Sequence, residues 1–260
     1  MLTDDEVTAY GVDGVVIPSG FQLSADEVLA LEQAVERTVR NNADTDSDML
    51  MNVHLNEAPP FHLQGDKAFA DLVRDTRILD MVEQLIGSDI ILWSTHLFCK
   101  AASTGREVPW HQDGQYWPIR PLATCTAWVA IDQCEVENGA LRVLPGSHKM
   151  GRFSHRTDNS PGFTLNQVID DERFDEQDAR YLTLRPGQLS LHDVQLLHGS
   201  AANRSGRRRA GLAIRFMPAT STMRRDLDMS KVSKLDWRQL PLSLMRGQDR
   251  GGNDLNVGHP

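Results

Sequence analysis

Ile90-Ile91-Leu92-Trp93-Ser94-Thr95-His96-Leu97-Phe98-Cys99-Lys100 is the stretch on which the fold turns. It is rich in aliphatic, aromatic and β-branched residues and contains neither Pro nor Gly, so it reads as a strand. Similar short runs follow at Thr124–Ile131, Ala140–Leu144, Leu189–His192 and Arg209–Phe216. Turn residues separate them, among them Asn138-Gly139, Pro145-Gly146 and Pro186-Gly187. Upstream of Gly87 the pattern is helical. Thr3 with Glu6, and Ser24 with Glu27, have capping-box spacing, and Val28, Leu31, Val35 and Val39 fall on one face behind the second box. Gly14–Ile17 reads as a short strand, Asp66 as a cap for a helix carrying Phe69, Leu72 and Val73, and Ile78–Ile86 as a further helix. Helices first and short strands afterwards predict an α+β, mainly β architecture, a jelly roll or barrel with helices packed outside. One domain is expected over 1–260: a helical part at 1–87, a β core at 88–217 and a wrapping tail at 218–260. Asn41–Pro60 and the polar, acidic Gly151–Asp178 read as loops.

Composition narrows the function. A formal charge of −9 argues against nucleic acid as a partner, because phosphate binding needs a positive surface. Apolar runs such as Ile90–Trp93 are far too short to cross a bilayer. Met1–Asp5 has none of the basic and apolar regions of a secretory leader. Cys99, Cys125 and Cys134 are odd in number and lack close metal spacing, so reduced thiols in a cytoplasmic protein are expected.

The chemistry centres on Trp110-His111-Gln112-Asp113. Residues two apart on a strand share a face, so His111 and Asp113 present an imidazole beside a carboxylate. His198, in Leu196-Leu197-His198-Gly199-Ser200, is the best third ligand. Two histidines and one carboxylate with open positions suit non-haem Fe(II) oxygenases. Alone, a His-x-Asp pair also occurs on ordinary polar strands, and His198 alone could be a structural core histidine. His148, in the turn Pro145–Lys149, and His192, beside Asp193, are not expected to be ligands.

Beyond the triad, further residues carry a resemblance: Tyr116, Pro118, Arg120-Pro121, Ala127-Trp128, the run Asn138-Gly139-Ala140-Leu141-Arg142-Val143-Leu144-Pro145-Gly146-Ser147-His148-Lys149, Pro186-Gly187, His198-Gly199-Ser200, Arg209 and Leu244–Asp249. With these the chain resembles the phytanoyl-CoA dioxygenase (PhyH) family of Fe(II)/2-oxoglutarate oxygenases. The resemblance covers most of the chain from Gly87 onward. It implies a double-stranded β-helix (jelly-roll, cupin-like) core, Fe(II) on His111, Asp113 and His198, 2-oxoglutarate as co-substrate, and O₂. Arg209 matches the arginine that binds the distal carboxylate of 2-oxoglutarate, a task suited to a planar, permanently charged guanidinium. Ser200 is expected to hydrogen-bond the same carboxylate, and Gln112 and Trp128 match positions lining that pocket, although Trp128 could equally be core. Related halogenases lack the carboxylate that Asp113 provides, so a hydroxylase rather than a halogenase is expected. Desaturation or ring closure on the same iron, and a non-catalytic binding module, are the alternatives.

The substrate side is thinner. Asn52, His54, His62, Tyr116, Trp117 and Arg215 are its candidates, against bland roles as loop polars, packing aromatics and a surface ion pair. Their polar character suggests a small polar or anionic metabolite.

Overall fold

The structure is a computed structural model that describes residues 1–229 and 236–258; part of the expected tail, 230–235 and 259–260, lies outside the described residues. Its larger sheet has seven strands. Their order is Val15–Val16, Leu189–Asp193, Cys125–Ala130, Arg209–Pro218, Ile90–Lys100 and Ser243–Arg246, with Leu50–Met51 also pairing with Ile90–Lys100. The smaller sheet runs Arg180–Leu182, Leu141–Val143, His198–Ser200 and Val108–His111. All of these pairings are antiparallel. Residues of both sheets line one cavity, which is the jelly-roll arrangement the sequence predicts.

Strand alternation explains which side chains face that cavity. Phe98 lies opposite Gly211, while Ala213 lies opposite both His96 and Trp128. Arg215 lies opposite Ser94 and Thr126. Their alternates Leu97, Ala127, Val129, Leu212 and Ile214 turn the other way. There they form one buried cluster with Leu31 and Val35 of helix Ala25–Asn41, Phe69 of helix Lys67–Leu72, and Ile78 and Val82 of helix Thr76–Ile86. The large sheet is therefore apolar under the helices and polar inside the roll. Each fully buried Leu, Val or Ile on the helix side contributes about 1.5–3 kcal/mol of transfer free energy. Between Arg215 and Phe216 the register slips, so that Phe216 faces Leu92 and Trp93 has no opposite residue. The extra residue lies on the Ile90–Lys100 strand, so Leu92 joins Phe216 in the helix-side cluster and Trp93 is left on the side of Arg215.

The helices begin where the sequence places them. Both capping boxes form, at Thr3 with Glu6 for helix Asp4–Asp13 and at Ser24 with Glu27 for helix Ala25–Asn41. Asp66 accepts from the amide of Ala68, and Asp75 caps helix Thr76–Ile86 through the amide of Arg77.

Three expectations need correction. Asn41–Pro60 is not all loop, since Leu50–Met51 adds to the edge of Ile90–Lys100. Gly151–Asp178 contains a hairpin, His155–Thr157 against Gln167–Ile169. The tail does more than wrap: Thr222–Met223 pairs with Ile119–Arg120, and Ser243–Arg246 supplies an edge strand of the large sheet. Strands of two to four residues are too short to show a period, so only an available edge decides where they form.

Cys99, Cys125 and Cys134 are buried free thiols, and burial pushes them up to about 11, 12 and 12 respectively. Among the described residues, no helix is long and apolar enough to cross a membrane.

Candidate metal centre and co-substrate pocket

His111 and His198 face each other in register across two strands of the smaller sheet, with ring centroids 4.2 Å apart. The first strand ends at His111. Gln112 keeps an extended backbone (φ −109°, ψ 133°), and Asp113 opens a short 3₁₀ turn, Asp113–Gln115. Asp113 thus returns to the His111 side as strand alternation predicts, although it stands on a turn. One ligand atom from each of His111, Asp113 and His198 lies within 4.8 Å of the others, and all three residues are buried.

The hydrogen bonds prepare these groups for a metal. Nδ1 of His111 lies 2.8 Å from the Pro109 carbonyl, and Nδ1 of His198 lies 2.9 Å from the Leu196 carbonyl. A carbonyl can only accept, so each Nδ1 carries a proton and each Nε2 is the nitrogen left to face a metal. Burial holds His198 well below its usual value, which keeps it neutral, the form that binds metal. Burial raises the Asp113 carboxyl, but Arg215 and the neighbouring histidines outweigh it and hold the group well below the carboxylate range. Thr126 Oγ1 donates to Asp113 at 3.4 Å. Two imidazoles and an ionised carboxylate on one side of a cavity are a donor set that fits Fe(II).

Arg209 reaches into the same cavity. It is only 2% exposed, and among the described residues no carboxylate forms an ion pair with it. Its partners are Ser200 Oγ at 3.4 Å and the face of Trp128 at 5.3 Å. Its two predecessors differ. Arg208 forks onto Asp132 with two bonds of 2.8 Å, and Arg207 takes Glu135 and Glu137. Of this basic run, only Arg209 is left as a buried cation without an anion, and burial lowers its pKa. Buried charges are normally paired, so the geometry calls for an anionic ligand.

The sequence candidates sort clearly. Ser200, Trp128 and Arg215 line the cavity with the triad and Arg209. Gln112 does not, which corrects the expectation that it lines the co-substrate pocket. Its amide donates to the carbonyls of Gly151 and Gln195 and accepts from the amide of Phe153. The alternation that brings His111 and Asp113 together turns Gln112 away, and it ties the strand to neighbouring loops instead. Asn52, His54 and His62 also lie outside the cavity lining. Asn52 accepts from the Thr95 amide, His54 Nδ1 pairs with Thr95 Oγ1, and His62 is exposed with Nδ1 at the Glu57 carbonyl. Tyr116 and Trp117 belong to an apolar cluster with Trp93 and Trp237 rather than to the lining itself.

Three residues outside the expected site also matter here. His192 lines the cavity 3.8 Å from Asp113, with neither ring nitrogen hydrogen-bonded. Adjacent strand residues face apart. That excludes a shared site with Asp193 but leaves His192 itself pointing inward. Lys100 lies opposite Arg209 in register and donates to the carbonyls of Ser200 and Ala201 at 3.1 and 2.6 Å. Burial, with Arg209 nearby, brings its ammonium down to about 6. Trp93 enters the polar side only through the bulge.

Gly211 fixes the Trp128 wall. A Cβ there would lie 2.2 Å from the indole, so Gly211→Ala is expected to shift Trp128 within the roll. Overpacking of this type costs about 1–3 kcal/mol. The check is a lowered thermal midpoint together with weakened 2-oxoglutarate binding; an unchanged midpoint would refute the close packing.

Comparison with known proteins agrees with this geometry. Residues 10–211 match the family described as Phytanoyl-CoA dioxygenase (PhyH). A probable alpha-ketoglutarate-dependent hypophosphite dioxygenase of Stutzerimonas stutzeri is 34% identical over 160 residues, which is 61% of this chain and 55% of the relative. An L-proline trans-4-hydroxylase of Streptomyces griseoviridis is 27% identical over 239 residues, 84% of this chain and 87% of the relative. The match to the first relative therefore spans about half of that protein's length. Among solved structures, the apo form of ThoJ, a non-heme monooxygenase, superposes with a TM-score of 0.74 at 24% identity, covering 96% of this chain and 86% of ThoJ. EctD from S. alaskensis with 2-oxoglutarate and 5-hydroxyectoine gives 0.67 at 22% identity, covering 84% of this chain and 77% of EctD. Both likenesses concern the fold.

Jelly roll, facial triad and buried arginine are together those of the Fe(II)/2-oxoglutarate-dependent dioxygenases. The chain belongs to the phytanoyl-CoA dioxygenase (PhyH) family.

Proposed function

We propose that the protein is an Fe(II)- and 2-oxoglutarate-dependent dioxygenase that hydroxylates an unactivated C–H bond of a small polar or anionic metabolite. The observation that carries this reading is Arg209: a buried guanidinium that no carboxylate among the described residues pairs with, in one cavity with a His-Asp-His triad. Fe(II), held by His111, Asp113 and His198, supplies the oxidising chemistry with 2-oxoglutarate and O₂, yielding succinate and CO₂.

The chain's own residues do the rest. Pro109 and Leu196 fix the ring orientation of the two histidines through Nδ1. Arg209 and Ser200 hold the far carboxylate of the co-substrate, while Trp128 and Phe98 wall the cavity and exclude water. Asp113 keeps its negative charge through Arg215, and it occupies the ligand position a halide would need. Relatives named for hypophosphite, ectoine and L-proline support a small-molecule substrate. SnoK, described as a non-heme alpha-ketoglutarate-dependent carbocyclase, resembles this chain in fold with a TM-score of 0.68, and it keeps ring closure as a second reading on the same site.

The direct test is anaerobic titration of the protein with Fe(II) and 2-oxoglutarate, following the weak visible charge-transfer absorption of the chelate. It is expected to appear and saturate at one equivalent of each. Folded protein that binds Fe(II) without developing this absorption would overturn the co-substrate assignment.

A further inference from the structure

Arg215 is a second buried cation in the same cavity, and nothing in the iron or 2-oxoglutarate site uses its hydrogen-bonding capacity. Its side chain is about as buried as that of Asp113, at 7% and 6% exposed. The nearest carboxylate oxygen, on Asp113, is 3.7 Å away, beyond hydrogen-bond length. Its guanidinium donates no hydrogen bond to a described residue, and Nε is buried without a partner. Two indoles flank it, Trp117 at 5.2 Å and Trp93 at 5.7 Å, themselves packed edge to face at 4.3 Å. These rings orient the guanidinium and exclude water around it, and neither accepts a hydrogen bond from it. The placement follows from two local events: alternation from Arg209 turns Arg215 inward, and the bulge after it brings Trp93 alongside.

Charge bookkeeping favours an anion there. Asp113 contributes one negative charge, and Arg209 and Arg215 contribute one positive charge each. Bound Fe(II) adds two positive charges and 2-oxoglutarate two negative ones. The loaded cavity is then left with a single positive charge in a poorly solvated space. Buried charge of that kind is costly unless a counter-charge arrives. Arg209 is occupied by the co-substrate in that reading, whereas Arg215 stands beside Asp113 with its fork unused.

We propose that Arg215, framed by Trp93 and Trp117, is the specificity residue that binds a carboxylate-type oxyanion on the substrate, so that the substrate enters as a monoanion. This rests on the dioxygenase reading above and narrows its substrate class. A planar guanidinium can take two oxygens of such a group at once, which would fix the distance from the anionic group to the reacting carbon.

The test uses the anaerobic protein loaded with Fe(II) and saturating 2-oxoglutarate, so that Arg209 is already engaged. Acetate is titrated as the probe, with neutral acetamide as its shape-matched control, and the change in tryptophan fluorescence is recorded. Acetate is expected to give a saturable change and acetamide none. Arg215→Gln is expected to weaken acetate binding by roughly tenfold or more, the equivalent of one lost charge-assisted bond, read at Fe(II) and 2-oxoglutarate concentrations raised until the variant's chelate absorption saturates, because Arg215 also supports the charge of Asp113. Arg215→Lys, which keeps the charge but not the fork, is expected to fall between. Equal responses to acetate and acetamide in the unmodified protein, or no response to acetate, would overturn the proposal without any variant. So would acetate binding that survives Arg215→Gln undiminished. Absence of the chelate absorption in the unmodified protein would instead sink the dioxygenase reading, and this inference would fall with it.

Discussion

His111→Ala is expected to abolish the chelate absorption and to lower succinate release by at least about a hundredfold, since removing second-layer partners of a metal ligand alone costs 10–100-fold. The argument is geometric. His111 and His198 are held opposite each other by the ladder between their strands, and each is oriented through its own Nδ1 bond to a carbonyl two residues earlier. Alanine removes the ligand and leaves the ladder intact, because the backbone bonds do not involve the ring. Circular dichroism and the thermal midpoint of the apo-protein are therefore expected to stay near those of the unmodified chain while Fe(II) binding falls. Persistence of the absorption in the folded variant would mean that the metal lies elsewhere.

Arg209→Ala is expected to raise the 2-oxoglutarate concentration for half-saturation by roughly ten- to a hundredfold, the equivalent of about 1.5–3 kcal/mol for a hydrogen bond to a charged group. The opposing effect on stability works in the variant's favour. Arg209 is a fully buried cation whose only hydrogen bond among the described residues is a long one to Ser200, so its removal relieves a desolvation penalty. Tighter folding with weaker co-substrate binding is the signature of a binding residue, and steady-state succinate assays with thermal melts separate the two. An unchanged half-saturation would end the assignment, and the neighbouring Lys100, which is opposite in register, would become the candidate for the distal carboxylate.

In the proposed reading one strand serves two ligands. Arg209 and Arg215 sit on the same inward face of Arg209–Pro218, six residues apart, on opposite sides of the narrow Gly211–Ala213 wall under Trp128. Their separation is set by strand rise, at about 3.3 Å per residue, so their backbones are held roughly 20 Å apart while both side chains line the cavity. The proposed co-substrate site at Arg209 and substrate-anion site at Arg215 share the cavity lined by the metal ligands.

Much of this protein was legible in its sequence because the relevant signals are local. Capping boxes at Thr3 and Ser24 mark helix starts, as the side chains satisfy amides within three residues. The strand at Ile90–Lys100 begins and ends where its residue types change. His111 and Asp113 share a side because alternation needs only their spacing. Arg209 was legible in a different way, through family resemblance rather than physics: three consecutive arginines look alike until their partners are known. Tertiary structure alone gave carboxylates to Arg207 and Arg208 and withheld one from Arg209. It turned Gln112 toward backbone carbonyls, brought His192 beside Asp113 from a strand far along the chain, and built edge strands from Leu50–Met51 and Ser243–Arg246. It also placed Trp93 beside Arg215, through a bulge that no pattern of residue types announces. Periodicity and capping report interactions within a few residues. Which cation is left unpaired, and which strand edge is free, depends on groups a hundred residues apart meeting in space.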